Sequence, residues 1–176
     1  MSTKTDPHSE SRLIDWFARR GRWQRLGLAM LSGALMTGGH PPVSLPWIFF
    51  VAMPVLVLLV LTAPRARSAA WAGWGAAFGY FVTGLHWMGH AFLVDPERFA
   101  WLLPIGITAL PIFFGLFWAV AFWAAWRLRP ATPIAMALGL AGCLTLVEFA
   151  RSNILTGLPW ALPGYVWVDL PPMQMA

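Results

Sequence analysis

Charge is the scarcest property of this sequence. Asp, Glu, Lys and Arg make up 11% of its 176 residues, where a soluble domain carries roughly 25%. With 59% hydrophobic residues and a mean hydropathy of +0.64, the composition argues against a water-soluble fold. Cysteine is almost absent too, and the single Cys143 rules out an intramolecular disulfide. Cys143 lies inside an apolar run, where a thiol serves as a small packing residue and makes a poor nucleophile. No nucleotide-binding loop, zinc-ligand spacing or Ser-His-Asp arrangement occurs, so neither a cofactor nor a metal is expected. The net charge of +5 does not indicate nucleic acid, because the positive residues flank apolar runs instead of forming a basic domain.

What the sequence does have is long apolar runs bounded by arginine and proline. The expected fold is an all-α membrane protein with about five transmembrane helices, over residues 26–39, 46–62, 69–93, 100–126 and 134–149. Residues 1–25 form a basic cytoplasmic or interfacial segment, residues 26–150 the helix bundle, and residues 151–176 an irregular periplasmic-side segment rich in Pro, Gly and Trp. The first run covers only about 21 Å at 1.5 Å per residue, short of a hydrocarbon core of about 30 Å. Pro41 and Pro42 force a break after it. Gly73, Gly75, Gly79, Gly84 and Gly89 give the third run small positions for close helix contact. Pro104 and Pro111 are expected to kink the fourth.

Orientation follows from charge. Placing the amino terminus inside leaves Lys4, Arg12, Arg19, Arg20, Arg22, Arg25, Arg65, Arg67, Arg127 and Arg129 on the cytoplasmic side, and Arg98 and Arg151 outside. Ten against two is a strong bias under the positive-inside rule. The first apolar run leads into Gly38-Gly39-His40-Pro41-Pro42 without a small-x-small cleavage pattern, which argues against a removable signal peptide.

Ionisable groups inside a membrane are expensive and mark candidate sites, which singles out His86, His90, Glu148 and Arg151. His86 and His90 are spaced to share a face of an α-helix, but two imidazoles without a carboxylate or thiolate are too few for a metal, and hydrogen-bonded neutral histidines beside Trp87 are expected. Glu148 and Arg151 are three apart and can pair on one helix face, either as a structural pair or as a seat for a lipid headgroup or a brace for the following loop. In Gly157-Leu158-Pro159-Trp160-Ala161-Leu162-Pro163-Gly164-Tyr165, the prolines impose an irregular course and the aromatics suit a membrane boundary. That chemistry fits a passive anchor and a lipid gate equally.

The order Val147-Glu148-Phe149-Ala150-Arg151, Gly157-Leu158-Pro159-Trp160, Gly164-Tyr165, Pro171 and Gln174 resembles the apolipoprotein N-acyltransferase family. Pro41-Pro42, Phe78-Gly79-Tyr80-Phe81 and His86-Trp87 add weaker support. The resemblance implies a multi-pass protein of the bacterial inner membrane. Its partners would be a phospholipid acyl donor and a diacylglyceryl lipoprotein, and Glu148, Arg151, Pro159, Trp160, Tyr165, His86 and Trp87 would be candidates for lipid or substrate access. In that family a Glu-Lys-Cys triad lies in a nitrilase-like domain beyond the position equivalent to Ala176, so the resemblance places no catalytic residue here and gives Cys143 no such role. Residues 1–176 are accordingly expected to be an inactive amino-terminal part, loosely packed without its later helix partners. The alternative is a small non-catalytic transporter or assembly subunit.

Overall fold

The computed structural model describes residues 7–128, 132–154 and 161–167. The expectations attached to Lys4, Arg129, Pro159, Trp160, Pro171 and Gln174 fall outside the described residues. All described elements are helical and no strand occurs among the described residues, in agreement with the all-α class.

Helices α1 (Pro7–Ala18) and α2 (Arg22–Met36) lead into a 3-10 turn, Thr37–Gly39, and the Pro41–Pro42 break. Then come α3 (Ile48–Leu61), α4 (Ala66–Leu85), a 3-10 segment His86–Leu93, the short α5 (Pro96–Phe99), a 3-10 turn Ala100–Leu102, α6 (Leu103–Leu128) and α7 (Pro133–Asn153). The last described element is a 3-10 segment, Pro163–Trp167. The start of α7 is set by Thr132, whose hydroxyl accepts from the Ala135 amide at 3.2 Å, and by a proline in the first turn, where a missing N–H has no consequence.

A helix stands at each of the five expected positions, with altered ends. The third α-helix of the apolar series stops at Leu85, because His86–Leu93 tightens into a 3-10 helix. α7 runs on to Asn153 and so carries both Glu148 and Arg151. The helical run Pro96–Leu128 and α7 are long and apolar enough to cross a membrane, whereas α3 is apolar but shorter. At 20 residues, α4 extends about 30 Å, with glycine, alanine and Arg67 diluting its apolar character.

α4 is the centre of the bundle, packed between α2 and α6. A Cβ on Gly79 would meet the Met30 carbonyl oxygen at 2.0 Å, and one on Gly33 would meet that of Ala76 at 1.8 Å. On the opposite side, a Cβ on Gly73 would lie 2.5 Å from the Trp118 carbonyl oxygen. Backbone thus meets backbone on both faces of α4, as the small positions of this run allow, and the expected loose packing does not hold for this helix. Tyr80, Phe81, Phe114, Trp118 and Phe122 fill the α4–α6 seam, all of them buried.

Arg25 adds a feature that the sequence did not show. It flanks the first apolar run, yet it is 4% exposed. Its Nη1 donates to the Phe17 carbonyl at 3.0 Å and to Thr62 Oγ1 at 3.1 Å, and its Nη2 donates to the Leu59 carbonyl. A cation at the carboxyl end of α3 also meets the negative end of that helix dipole. One side chain thereby ties α1, α2 and α3 together.

Candidate functional site at the His40–Glu148 end of the bundle

The polar residues of the apolar bundle form a connected series across α4, α6 and α7. Arg151 and Glu148, one helical turn apart on α7, are joined by Nη2 to Oε2 at 2.6 Å and Nε to Oε2 at 3.1 Å. The other carboxylate oxygen, Oε1, accepts from Trp118 Nε1 at 2.7 Å. The guanidinium carbon lies 5.1 Å from the Phe81 ring centroid and 5.0 Å from that of Phe114, so two aromatic faces cover a cation that is 1% exposed. Trp118 stacks on Tyr80 with centroids 5.5 Å apart, and the Tyr80 hydroxyl meets His40 Nε2 at 2.5 Å. His40 sits in the loop after α2, where partial burial holds its imidazole below the usual range by penalising the charged form.

Two cavities flank the Pro163–Trp167 segment. The larger, about 770 Å³, is lined by Thr37, His40, Thr83, His86, Trp87 and Tyr165 among others. The second, about 530 Å³, runs between α3 and α7, with Phe49, Met53, Leu144 and Trp167 as apolar walls and Glu148 and Trp118 at its inner end. Ala161, on the wall of the larger cavity, has φ 53°, a left-handed conformation that costs an L-residue about 1–2 kcal/mol.

The candidates from sequence therefore fall into two groups. His86, Trp87 and Tyr165 share the larger cavity, and Glu148 opens on the second. Arg151 lines neither cavity, being occupied by Glu148 and covered by the two phenylalanines. His86 and His90 do not stand on one α-helical face, since a 3-10 helix turns every three residues. Each bonds back to its own chain instead, His86 Nδ1 to the Thr83 carbonyl at 2.6 Å and His90 Nδ1 to that of Trp87 at 3.0 Å. No cluster of three or more His, Cys, Asp or Glu exists among the described residues.

Sequence reasoning missed His40, Tyr80 and Trp118. His40 directly precedes the Pro41-Pro42 break, and a titratable residue beside an enforced bend was the available signal. Nothing in the sequence separates Trp118 from the other tryptophans.

The family model of the apolipoprotein N-acyltransferase N-terminal domain matches residues 32–176. This chain belongs to the apolipoprotein N-acyltransferase family. It is 43% identical over 152 residues to an apolipoprotein N-acyltransferase of Rhodopseudomonas palustris, an alignment covering 84% of this chain and 28% of the relative. It is 42% identical over 158 residues to one from Brucella suis, covering 85% and 30%, and 36% identical over 168 residues to one from Caulobacter vibrioides, covering 93% and 32%. The chain thus spans about three-tenths of the length of the curated relatives it matches. The matched region of the acyltransferase family contains His40, Tyr80, Trp118, Glu148 and Arg151, whereas Arg25 precedes it.

Proposed function

We propose that this chain is the membrane-embedded amino-terminal part of an apolipoprotein N-acyltransferase. In that enzyme a fatty acyl chain passes from a phospholipid to the amino-terminal diacylglyceryl cysteine of a lipoprotein, and this part supplies scaffold and lipid access. The observation that carries the reading is the pair of cavities beside Pro163–Trp167, one with imidazoles and hydroxyls in its wall and one with apolar walls. A phospholipid needs both surfaces, polar for the headgroup and apolar for the chain. Glu148, Arg151 and Trp118 hold the shape of the apolar cavity, and Tyr165, His86 and Trp87 face the headgroup.

Such a transfer runs through a thioester. A cysteine thiolate displaces a lysophospholipid from the donor ester, and the lipoprotein amine then displaces the thiolate. Cys143 is partly buried among apolar residues of α7, and among the described residues it belongs to no cluster of three or more His, Cys, Asp or Glu. On this reading the acyl transfer is carried by another part of the enzyme, and residues 1–176 by themselves are expected to be inactive.

The membrane is the bacterial inner membrane, crossed about five times with the amino terminus cytoplasmic. In support, Trp126 Nε1 donates to the Ala63 carbonyl at 2.8 Å and Arg25 reaches Thr62. The start of α2, the α3–α4 connection and the end of α6 therefore share one end of the bundle. That end carries Arg65, Arg67 and Arg127, as the positive-inside rule requires of a cytoplasmic face. Residues 1–25, 26–150 and 151–176 then act as basic segment, bundle and outer interfacial segment.

The test uses residues 1–176 in liposomes with phospholipid and a diacylglyceryl lipopeptide, followed by mass spectrometry of the lipopeptide. No added acyl chain is expected, and acylation would overturn the assignment of the chemistry elsewhere. A phospholipid with a photoreactive acyl chain should label peptides containing Met53 and Trp167. Labelling confined to the outward faces of α6 and α7 would overturn the lipid-access role.

A further inference from the structure

We propose that the groove between α4 and α6, at the arginine-rich end of the bundle, binds an anionic phospholipid, with its phosphate on Arg67 and an acyl chain along Trp71, Trp74 and Leu116. The groove measures about 320 Å³ and is lined by Arg67, Ala70, Trp71, Trp74, Leu116 and Ala119. Arg67, Trp71 and Trp74 recur at i, i+4 and i+7 on α4, so they share one face with the cation at its end. Arg67 and His86 stand at opposite ends of α4, about 29 Å apart at 1.5 Å per residue, which separates this groove from the cavities beside Pro163–Trp167.

The groove is built, not incidental. Gly115 lets the Trp74 indole lie across α6: a Cβ there would meet Trp74 Cδ1 at 2.6 Å. Trp74 Nε1 donates to the Ile112 carbonyl at 3.2 Å, which leaves the ring face as a dry wall. Phe78 stacks on it with centroids 5.2 Å apart and Trp71 meets it edge-on at 5.6 Å. Wall and floor are therefore hydrocarbon in character, while Arg67 is exposed.

Charge selects the occupant. Among the described residues beyond α1, Glu148 is paired with Arg151, and Asp95 and Glu97 lie on the far side of the bundle, between the ends of α4 and α6 opposite Arg67. Arg127, its guanidinium carbon 5.2 Å from the Trp123 centroid, adds positive charge at the Arg67 end. A guanidinium matches phosphate oxygens in a bidentate pair, and an anionic headgroup brings no amine to repel the arginines. The proposal rests on the reading that the chain lies in a bilayer.

The experiment is native mass spectrometry of residues 1–176 released from detergent, titrated with phosphatidylglycerol and separately with phosphatidylcholine. Phosphatidylglycerol should be retained preferentially. Arg67→Gln should weaken its retention about fivefold, equivalent to about 1 kcal/mol for one lost cation–anion contact. Ala119→Trp, which fills the groove without changing charge, should weaken it too, whereas Arg65→Gln should not. Equal retention of the two lipids, or equal effects of Arg67→Gln and Arg65→Gln, would overturn the proposal. Alkaline carbonate extraction separates the two readings. Release of the chain into the supernatant sinks both, and retention in membranes with indifferent lipid binding sinks only this one.

Discussion

Trp118 Nε1 donates to Glu148 Oε1 at 2.7 Å, which makes one indole a polar link between α6 and α7. The same carboxylate holds Arg151 through its other oxygen. One buried carboxylate therefore satisfies a neutral donor and a cation, an arrangement in which each partner is costly to remove alone.

Glu148→Ala should destabilise the protein by about 3–5 kcal/mol, because it leaves a guanidinium in an apolar seam without its anion. The double variant Glu148→Leu, Arg151→Met should recover a large part of that loss. Trp118→Phe removes the indole N–H together with part of a fully buried ring, and should cost more than the roughly 1–3 kcal/mol of an unsatisfied carboxylate oxygen alone. Denaturation in detergent checks all three, and a double variant less stable than Glu148→Ala would contradict the account.

Arg25→Met should free α1. Its donors to Phe17, Thr62 and Leu59 are lost, and each such bond from a charged group contributes about 1.5–3 kcal/mol. Limited trypsin digestion should then cut faster at Arg19 and Arg20. Arg22→Met, whose side chain sits over Trp23 at 4.7 Å without a buried bond, should digest like the parent protein.

Two glycines should respond oppositely to a methyl group. Gly79→Ala drives a Cβ into the Met30 carbonyl and should abolish monodisperse protein in size-exclusion chromatography. Gly142→Ala meets nothing within 4 Å and should raise helix stability by up to about 1 kcal/mol. Similar behaviour of the two would contradict the close α2–α4 crossing.

Acid should weaken the protein through His40. Burial holds its folded pKa below the ordinary histidine value of about 6.5, so the unfolded chain binds more protons as pH falls through that value. Stability is then complete above about pH 6.5 and declines towards the folded pKa. Melting in detergent between pH 8 and pH 5 should show this slope, and His40→Gln should flatten it. An unchanged slope in the variant would assign the effect elsewhere.

Much of the architecture was legible because long apolar runs broken by proline leave few places for a helix to start and stop. Apolar length marked helices at all five positions, and Pro41-Pro42 and Pro133 marked their breaks and starts. The site was legible only in part. Glu148 and Arg151 stood out because charge inside an apolar run is rare, and their spacing on a helix brought them together. His86 and His90 misled, because four-residue spacing means a common face only in an α-helix, and this segment is wound tighter.

What the sequence alone determined was the class of the protein: all-α, arginine-flanked and of the acyltransferase family, with an ion pair near the end of the last helix. These features depend on composition and on neighbours within one or two helical turns. Tertiary structure alone decided that Arg25 is a buried tie and not a surface charge, that Trp118 reaches Glu148, and that His40 meets Tyr80 across forty positions. Each of those contacts depends on how α2, α4, α6 and α7 cross. The crossings are set by which glycine lets which backbone approach, and no local pattern in the sequence carries that information.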